Sequence, residues 1–242
     1  MKPAPDPVPR AALSRMEWLL IAAAALTILS SVLGMLPLHF FCKPLTMLIA
    51  MAWVYLRASQ VRALERFDWL LMAALAASMA GDVFLMLPGG YFIPGLASFL
   101  VAHLFYIALF RQGIKRFPSR RALLIAMTVG AAMYAWVWGG LTDPVLKVAV
   151  AAYVGVISLM VAQAIGRATV LRDTDSRAVA LGACVFMLSD SLIAINRFVQ
   201  PLPIVSLWVL TTYYAAQILM VRNARSTISS LRTWTPPVLQ VT

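Results

Sequence analysis

Blocks of about 20 mainly apolar residues alternate with short polar segments along the chain, and a helix of that length spans roughly 30 Å of hydrocarbon. Within the blocks the apolar positions show no period of two, which argues against a membrane β-barrel. The pattern therefore predicts an all-α, polytopic integral membrane protein with eight transmembrane helices. The spans are predicted at residues 16–36, 39–56, 69–87, 91–110, 122–140, 145–165, 178–199 and 202–221.

The predicted spans divide the chain into three parts. Residues 1–15 are polar and rich in proline, which predicts a disordered N-terminal arm. Residues 16–221 are predicted to form the transmembrane domain, and residues 222–242 a flexible tail. The first apolar block is too long for a signal peptide and lacks a small-residue cleavage site, so it is interpreted as a retained span.

Composition agrees with a membrane protein, since 62% of the residues are hydrophobic, 12% are charged and the mean hydropathy is +0.86. The two cysteines, Cys42 and Cys184, both lie in apolar blocks, which argues against a disulfide framework or a zinc–cysteine cluster. A net charge of +11 is also typical of nucleic-acid-binding proteins. Here the basic residues lie in short loops between apolar blocks, so we expect no nucleic-acid partner.

The basic residues fix the predicted orientation. Seventeen of the twenty lie in the two tails and in alternate connections, which share one side of the membrane if there are eight spans. The remaining connections, near residues 37–38, 88–90, 141–143 and 200–201, contain none. The positive-inside rule then places both termini in the cytoplasm.

A weak internal repeat relates the two halves of the chain. Asp82 and Asp190 are 108 positions apart, and so are Tyr106 and Tyr214. A parallel four-plus-four duplication would explain these spacings. The alternative is chance, because few positions match.

Of the nine acidic residues, seven lie in tails, loops or the ends of predicted spans, and Asp82 and Asp190 lie within the interior of spans. An ionisable group in a membrane helix costs at least about 2.5–3.5 kcal/mol, so each is expected to have a function. Both lie roughly 8–14 Å below the outer boundary at 1.5 Å per residue, which favours one shared polar cavity. The alternative is that each carboxylate pairs separately with a basic residue and only fixes helix packing.

The basic side chains near these carboxylates suit an anionic group. Lys43 lies at a depth from which it could reach either Asp, or it could extend to the outer interface. Arg197 follows Asp190 by seven residues, on the same helix face and about 10 Å away. It could bind an anionic headgroup or simply anchor the helix at the interface. For Lys147, extension to the interface is the favoured interpretation.

Polar stripes occur on two further spans. His103 and Tyr106 lie three residues apart on span 4, and Tyr213, Tyr214 and Gln217 form a similar stripe on span 8. The chain has two histidines and no clustered cysteines, so neither a metal nor a cofactor is expected. A zinc site formed by His103 and both Asp residues stays an alternative. Nucleophile-elbow, phosphate-loop and H-E-x-x-H motifs are absent from the sequence.

Five blocks, taken in order, resemble the YhhN-type family of membrane proteins, whose animal members are lysoplasmalogenases. The resemblance covers about residues 16 to 221, with no departure at either Asp. The blocks are Lys43-Pro44, Gly81-Asp82-Val83-Phe84-Leu85-Met86, Gly95-x3-Phe99-x3-His103-x2-Tyr106, Gly182-Ala183-x2-Phe186-x2-Ser189-Asp190-Ser191-Leu192-x-Ala194 and Tyr213-Tyr214-x2-Gln217.

The resemblance implies hydrolysis of the vinyl ether bond of a lysoplasmalogen to a fatty aldehyde and a glycerophosphoethanolamine or glycerophosphocholine. The expected location is a bacterial inner membrane. Two carboxyls close together in a low dielectric do not both ionise easily, so one would act as the acid and the other as the base. Which Asp has which role stays open. Substrate contacts are expected from Lys43, His103, Tyr106, Ser189, Arg197, Tyr214 and Gln217.

A small transporter or a lipid-binding membrane protein is the alternative. Eight spans, a possible duplication and charged residues inside the membrane also occur in transporters. A transporter would be expected to have helices broken by Gly or Pro at matching positions of its two halves. Pro44 and Pro94 have no such partners in spans 6 and 8, which favours the hydrolase.

Overall fold

The computed structural model describes residues 10–61 and 63–225. This part of the chain contains eight long α-helices and no β-strand, which confirms the all-α class. A single 3-10 turn, Trp138–Gly140, follows the fifth helix. The helices are α1 Arg10–Val32, α2 Leu36–Val61, α3 Arg66–Met86, α4 Phe92–Phe110, α5 Arg120–Val137, α6 Pro144–Leu171, α7 Thr174–Phe198 and α8 Val205–Asn223.

Seven of these helices, α1 to α7, are long and apolar enough to cross a membrane, which confirms a polytopic membrane protein. Helix α8 is not among the seven, because polar side chains such as Tyr213, Tyr214 and Gln217 lower its hydropathy. The eight helices follow the eight predicted spans in order. That α8 also crosses the membrane, and that the two halves are a repeat, stay predictions.

The helix ends differ from the predicted span ends. Helix α1 begins at Arg10, inside the arm predicted for residues 1–15, and α8 continues into the predicted tail. The rest of that arm, residues 1–9, lies outside the described residues, as do residues 226–242 of the tail.

The first connection was predicted near residues 37–38 and that placement is wrong, because the turn lies at 33–35. Gly34 ends the first helix there with a positive φ of 68°, a conformation that glycine adopts without a steric penalty. Pro37 then lies in the first turn of α2, where its missing N–H leaves no hydrogen bond unmade.

Seven of the helices pack in a ring. Helix α1 packs against α2, α2 against α3, and α3 against α4. Helix α4 then packs against α6, and α6, α7 and α8 continue the series until α8 meets α1. Helix α5 lies outside this ring, packed mainly against α6. Polar side chains that point into the ring are therefore shielded from lipid by the helices themselves.

The two ends of the bundle differ in charge. The connections at 33–35, 87–91, 138–143 and 199–204 hold no Lys or Arg, and we call this side the short-loop end. The other connections include the basic segment 111–119, and we call this side the basic end.

Labelling of introduced cysteines tests the predicted orientation. In a background without Cys42 and Cys184, we expect Gly90→Cys at the short-loop end to react in intact cells with a membrane-impermeant thiol reagent. Lys115→Cys at the basic end should react only after permeabilisation, because the positive-inside rule predicts that this end lies in the cytoplasm. The reverse pattern, or equal labelling of both, would contradict this orientation.

Candidate active site

Asp82 lies at the centre of a buried ion pair. Its carboxylate accepts a hydrogen bond of 2.7 Å at Oδ2 from the hydroxyl of Tyr213 on α8. Its Oδ1 is 3.1 Å from Nζ of Lys43 on α2, and only 3% of the Asp82 side chain is exposed. Of the two arrangements that the sequence left open for Lys43, the structure shows the one in which it reaches a carboxylate.

Two glycines let side chains of α3 and α4 pack closely near this ion pair. A Cβ at position 81 would lie 2.5 Å from the Phe99 ring, so Gly81 lets that ring pack against α3 beside Asp82. Phe99 meets Tyr213 edge-on, with ring centroids 6.0 Å apart. Gly95 similarly leaves room for Leu85. In such apolar surroundings the attraction between Lys43 and Asp82 is much stronger than it is in water.

Asp190 is held by a different pair of side chains. The hydroxyl of Tyr153 on α6 donates to Oδ2 of Asp190 at 2.5 Å. The same hydroxyl lies 2.9 Å from Nε2 of His103 on α4, which is itself 3.5 Å from Asp190 Oδ2. The Asp190 side chain is 13% exposed, so it is more accessible than that of Asp82.

The two carboxylates thus have separate hydrogen-bond partners, and one aromatic ring connects the two groups. Phe186 packs edge-on against Tyr213, the donor to Asp82, at 5.5 Å between centroids. It packs in the same way against His103 on the Asp190 side, at 5.0 Å. The single cavity expected to join both carboxylates is a prediction that these contacts leave open.

Asp190 faces an apolar cavity with about 660 Å³ of empty space, its open mouth included. Helices α4 to α7 form most of its wall, and Tyr153 lies beside Asp190 in an otherwise mainly aliphatic and aromatic lining. We call it the apolar cavity; its other lining residues include Leu96, Phe99, Met133, Val150, Ile157 and Met187.

A second, more open cavity adjoins the first towards the short-loop end, with about 1,200 Å³ of empty space when its open mouth is included. It shares Leu85, Phe92 and Ile193 with the apolar cavity, and we call it the polar cavity. Lys43 and Arg197 line it, and the Arg197 guanidinium lies 4.0 Å from the centroid of the Phe92 ring. Among the described residues its lining contains no Asp or Glu. The polar cavity therefore suits an anionic group.

In the described part of the chain, the other residues singled out from the sequence make no hydrogen bond or ion pair with either carboxylate. Tyr106 donates to Oε1 of Gln217 at 2.7 Å, which joins α4 to α8. The Ser189 hydroxyl donates to the backbone oxygen of Val209 at 3.0 Å, which joins α7 to α8. Tyr214 is buried, and its neighbour Tyr213 is the residue that contacts Asp82. Lys147 packs over the Trp138 ring.

Tyr153 is a site residue that the sequence did not single out. It lies nine residues into α6, and Asp190 lies eight residues from the end of α7 at the same side of the bundle. Matching the depths of polar groups on neighbouring helices would have brought the two together. A tyrosine in an apolar span is otherwise unremarkable, because its ring packs like any other aromatic side chain.

Comparison with known protein families identifies the family of this chain. A model of the YhhN family matches residues 38–224, which include Lys43, Asp82, Tyr153, Asp190 and the stripe on α8. The chain belongs to the YhhN family. Membership is therefore established over most of the chain, and the motifs that resembled the family lie within the matched range.

Relatives in the YhhN family carry enzyme names. The chain is 32% identical to lysoplasmalogenase TMEM86B of Rattus norvegicus over 76% of this chain and 70% of that protein. It is 31% identical to the human protein of that name, over 81% and 75% of the two chains. A lysoplasmalogenase of Mycobacterium tuberculosis is 35% identical over 62% and 58%. No solved structure matches this chain.

Proposed function

We propose that this YhhN-family protein hydrolyses the vinyl ether bond of a lysoplasmalogen, or of a related lyso ether lipid. The products would be a fatty aldehyde and glycerophosphoethanolamine or glycerophosphocholine. Relatives named lysoplasmalogenase support a membrane hydrolase of this type. The observation that carries the proposal is the position of Asp190, in an apolar cavity that adjoins a polar cavity with two cationic side chains.

The two cavities match the two parts of such a lipid. The hydrocarbon chain would occupy the apolar cavity, and the phosphate would lie in the polar cavity near Lys43 and Arg197. Ile193 lines both cavities and lies one helical turn from Asp190 on α7. A bond between the chain and the headgroup would thus lie within reach of the Asp190 carboxyl. With the basic end in the cytoplasm, the polar cavity would open towards the outer leaflet.

The chemistry begins with transfer of a proton to the alkene carbon that lies one bond further from the ether oxygen. The electron pair of the double bond forms the new C–H bond, which leaves an oxocarbenium ion. Water adds to its carbon and loses a proton to a carboxylate, and the resulting hemiacetal breaks down to aldehyde and alcohol. Such a reaction needs one positioned acid and one base.

The contacts favour different roles for the two carboxylates. Asp190 faces the apolar cavity, so in this proposal it donates the proton and then accepts one from the attacking water. The Asp82 carboxylate is buried in contact with the Lys43 ammonium, so Asp82 would be the ionised one of the two carboxyl groups. Its charge holds the Lys43 ammonium beside the polar cavity and offsets positive charge that develops nearby.

Release of aldehyde from a lysoplasmalogen by the purified protein tests the proposal. We expect turnover by the wild type in detergent, and the same rate after EDTA treatment, because a carboxyl proton drives the reaction. Loss of activity on chelation would indicate a metal site built from His103 and the carboxylates. A protein that releases no aldehyde but moves a solute across proteoliposomes would support the transporter alternative.

Arg197→Ala should raise KM for the lysoplasmalogen by about tenfold and leave kcat nearly unchanged, because it removes an interaction made equally in ground and transition states. The matched control is Lys147→Ala, which also removes a cation near the short-loop end. Lys147 packs over the Trp138 ring and lines neither cavity. Steady-state kinetics of both variants make the comparison. Equal KM values for the two variants would show that Arg197 does not bind the headgroup.

A further inference from the structure

We propose that Tyr153 is a positioning residue that, together with His103, places the reactive proton of Asp190 on Oδ1, facing the apolar cavity. The inference deepens the proposed function and rests on it. It follows from the direction of two hydrogen bonds, His103 to Tyr153 and Tyr153 to Asp190. Neither bond involves a residue of the Asp82 ion pair.

The direction of the first bond follows from the surroundings of His103. The ring is completely buried, and its Nδ1 has no hydrogen-bond partner among the described residues. A neutral imidazole carries one N–H proton. If that proton is on Nε2, the Tyr153 oxygen 2.9 Å away can accept it in a hydrogen bond. The same proton on Nδ1 would be a buried donor without an acceptor. His103 Nε2–H therefore donates to Tyr153.

The second bond then has only one possible direction. A tyrosine hydroxyl carries a single proton, and its oxygen already accepts from His103. The Tyr153 proton therefore goes to Oδ2 of Asp190, at the short distance of 2.5 Å. Tyr153 is itself buried, so no bulk water competes for this bond.

The hydrogen bond from Tyr153 to Oδ2 determines which oxygen of the Asp190 carboxyl carries the proton. Both polar contacts of Asp190 in the described part of the chain involve Oδ2, while the side chain is partly exposed and lines the apolar cavity. In a protonated carboxyl, the carbonyl oxygen is the better hydrogen-bond acceptor, so the oxygen bonded to Tyr153 stays unprotonated. The acid proton is then on Oδ1, the oxygen available to a lipid in the cavity.

The hydrogen-bonded chain keeps this arrangement through a reaction cycle. Oδ1 gives its proton to the alkene carbon, and Asp190 becomes a carboxylate stabilised by the Tyr153 hydroxyl. Water then adds to the oxocarbenium carbon and returns one proton to Oδ1. Tyr153 and His103 keep their own protons throughout, so they act through Asp190 and not as acids themselves.

Tyr153→Phe removes the hydroxyl and keeps the ring. We expect kcat for lysoplasmalogen to fall by about 10- to 100-fold, less than the 10²–10⁴-fold that loss of a general acid typically causes. KM, and the inhibition constant of a 1-O-alkyl lysophospholipid that lacks the double bond, should change by less than about twofold, since binding is untouched. The matched control is Tyr134→Phe. The Tyr134 hydroxyl that it removes donates to the backbone oxygen of Lys147, away from Asp190.

A pair of His103 variants tests the direction of the chain. His103→Gln can still present an N–H near the Tyr153 oxygen, whereas His103→Leu presents none. We expect His103→Gln to keep a kcat several-fold above that of His103→Leu, a difference of about 1 kcal/mol in the barrier. A purely structural role of the ring would affect both variants alike.

The outcomes separate this inference from the proposed function. A wild-type protein that releases no aldehyde overturns both. An active wild type with a Tyr153→Phe variant whose kcat equals that of Tyr134→Phe overturns the inference and leaves the proposed function standing. A parallel change in kcat, KM and the inhibition constant of Tyr153→Phe also overturns it, because that pattern indicates a distorted cavity.

Discussion

Asp190→Asn should reduce aldehyde release from a lysoplasmalogen by about 100-fold or more, because the amide cannot donate a carboxyl proton to the alkene carbon. The side chain keeps its size, and its amide oxygen can still accept from Tyr153. The variant should therefore fold, insert and bind a non-cleavable alkyl analogue as the wild type does. Kinetics with purified protein, beside a binding assay with the analogue, measure both properties.

A matched control for this substitution is Asp143→Asn. Asp143 caps the start of α6 by accepting from the backbone N–H of Val145, and asparagine caps helices equally well. Asp143 is exposed and lines neither cavity. The Asp143→Asn variant should therefore release aldehyde at the wild-type rate. Near wild-type aldehyde release by Asp190→Asn would rule out Asp190 as the acid.

Asp82→Asn should lower stability as well as turnover. Removing the carboxylate leaves the Lys43 ammonium buried without its counter-charge, and breaking a buried pair in this way costs about 3–5 kcal/mol. Thermal unfolding in detergent, followed beside aldehyde release, should show a clearly lower transition temperature and little activity.

The double variant Lys43→Met with Asp82→Asn separates the two effects. It removes both charges, so we expect most of the lost stability to return while aldehyde release stays low. A fully active double variant would show that the ion pair serves only helix packing, the alternative that the sequence left open. An Asp82→Asn variant as stable as the wild type would contradict the buried ion pair itself.

Much of the fold could be predicted because the bilayer constrains sequence strongly. The apolar blocks gave the eight helices in their order, since only helices satisfy the backbone within a single apolar segment. The same constraint made Asp82 and Asp190 stand out, because a charge inside an apolar block is costly. The first turn was misplaced because Leu36 and Pro37 continue the apolar pattern, and Gly34 ends the helix by its backbone conformation.

The pairing of side chains across helices could not be derived in this way. Depth along a helix follows from the sequence, but rotation about the helix axis and the identity of the neighbour depend on packing. Asp82 and Asp190 lie at similar predicted depths, yet they bond to different side chains. Tyr153 and Tyr213 complete these groups through single hydroxyls, which leave no mark on the hydropathy pattern.

The two groups nevertheless have a related arrangement. Asp82 on α3 contacts Lys43 on α2, the preceding helix, and Tyr213 on α8, from the other half of the chain. Asp190 on α7 contacts Tyr153 on α6, again the preceding helix, and lies near His103 on α4, from the other half. A parallel four-plus-four repeat would give this pattern, and the repeat itself stays a prediction.

Hydrolysis of a lysoplasmalogen in D2O tests the central claim most directly. Proton transfer from a solvent-exchanged carboxyl to the alkene carbon must leave one deuterium on the carbon next to the aldehyde group. Mass spectrometry of the aldehyde, reduced to the alcohol as it forms, should find a single deuterium at that carbon and none in the glycerophospho product. Aldehyde without deuterium at that carbon would contradict vinyl ether hydrolysis by acid catalysis.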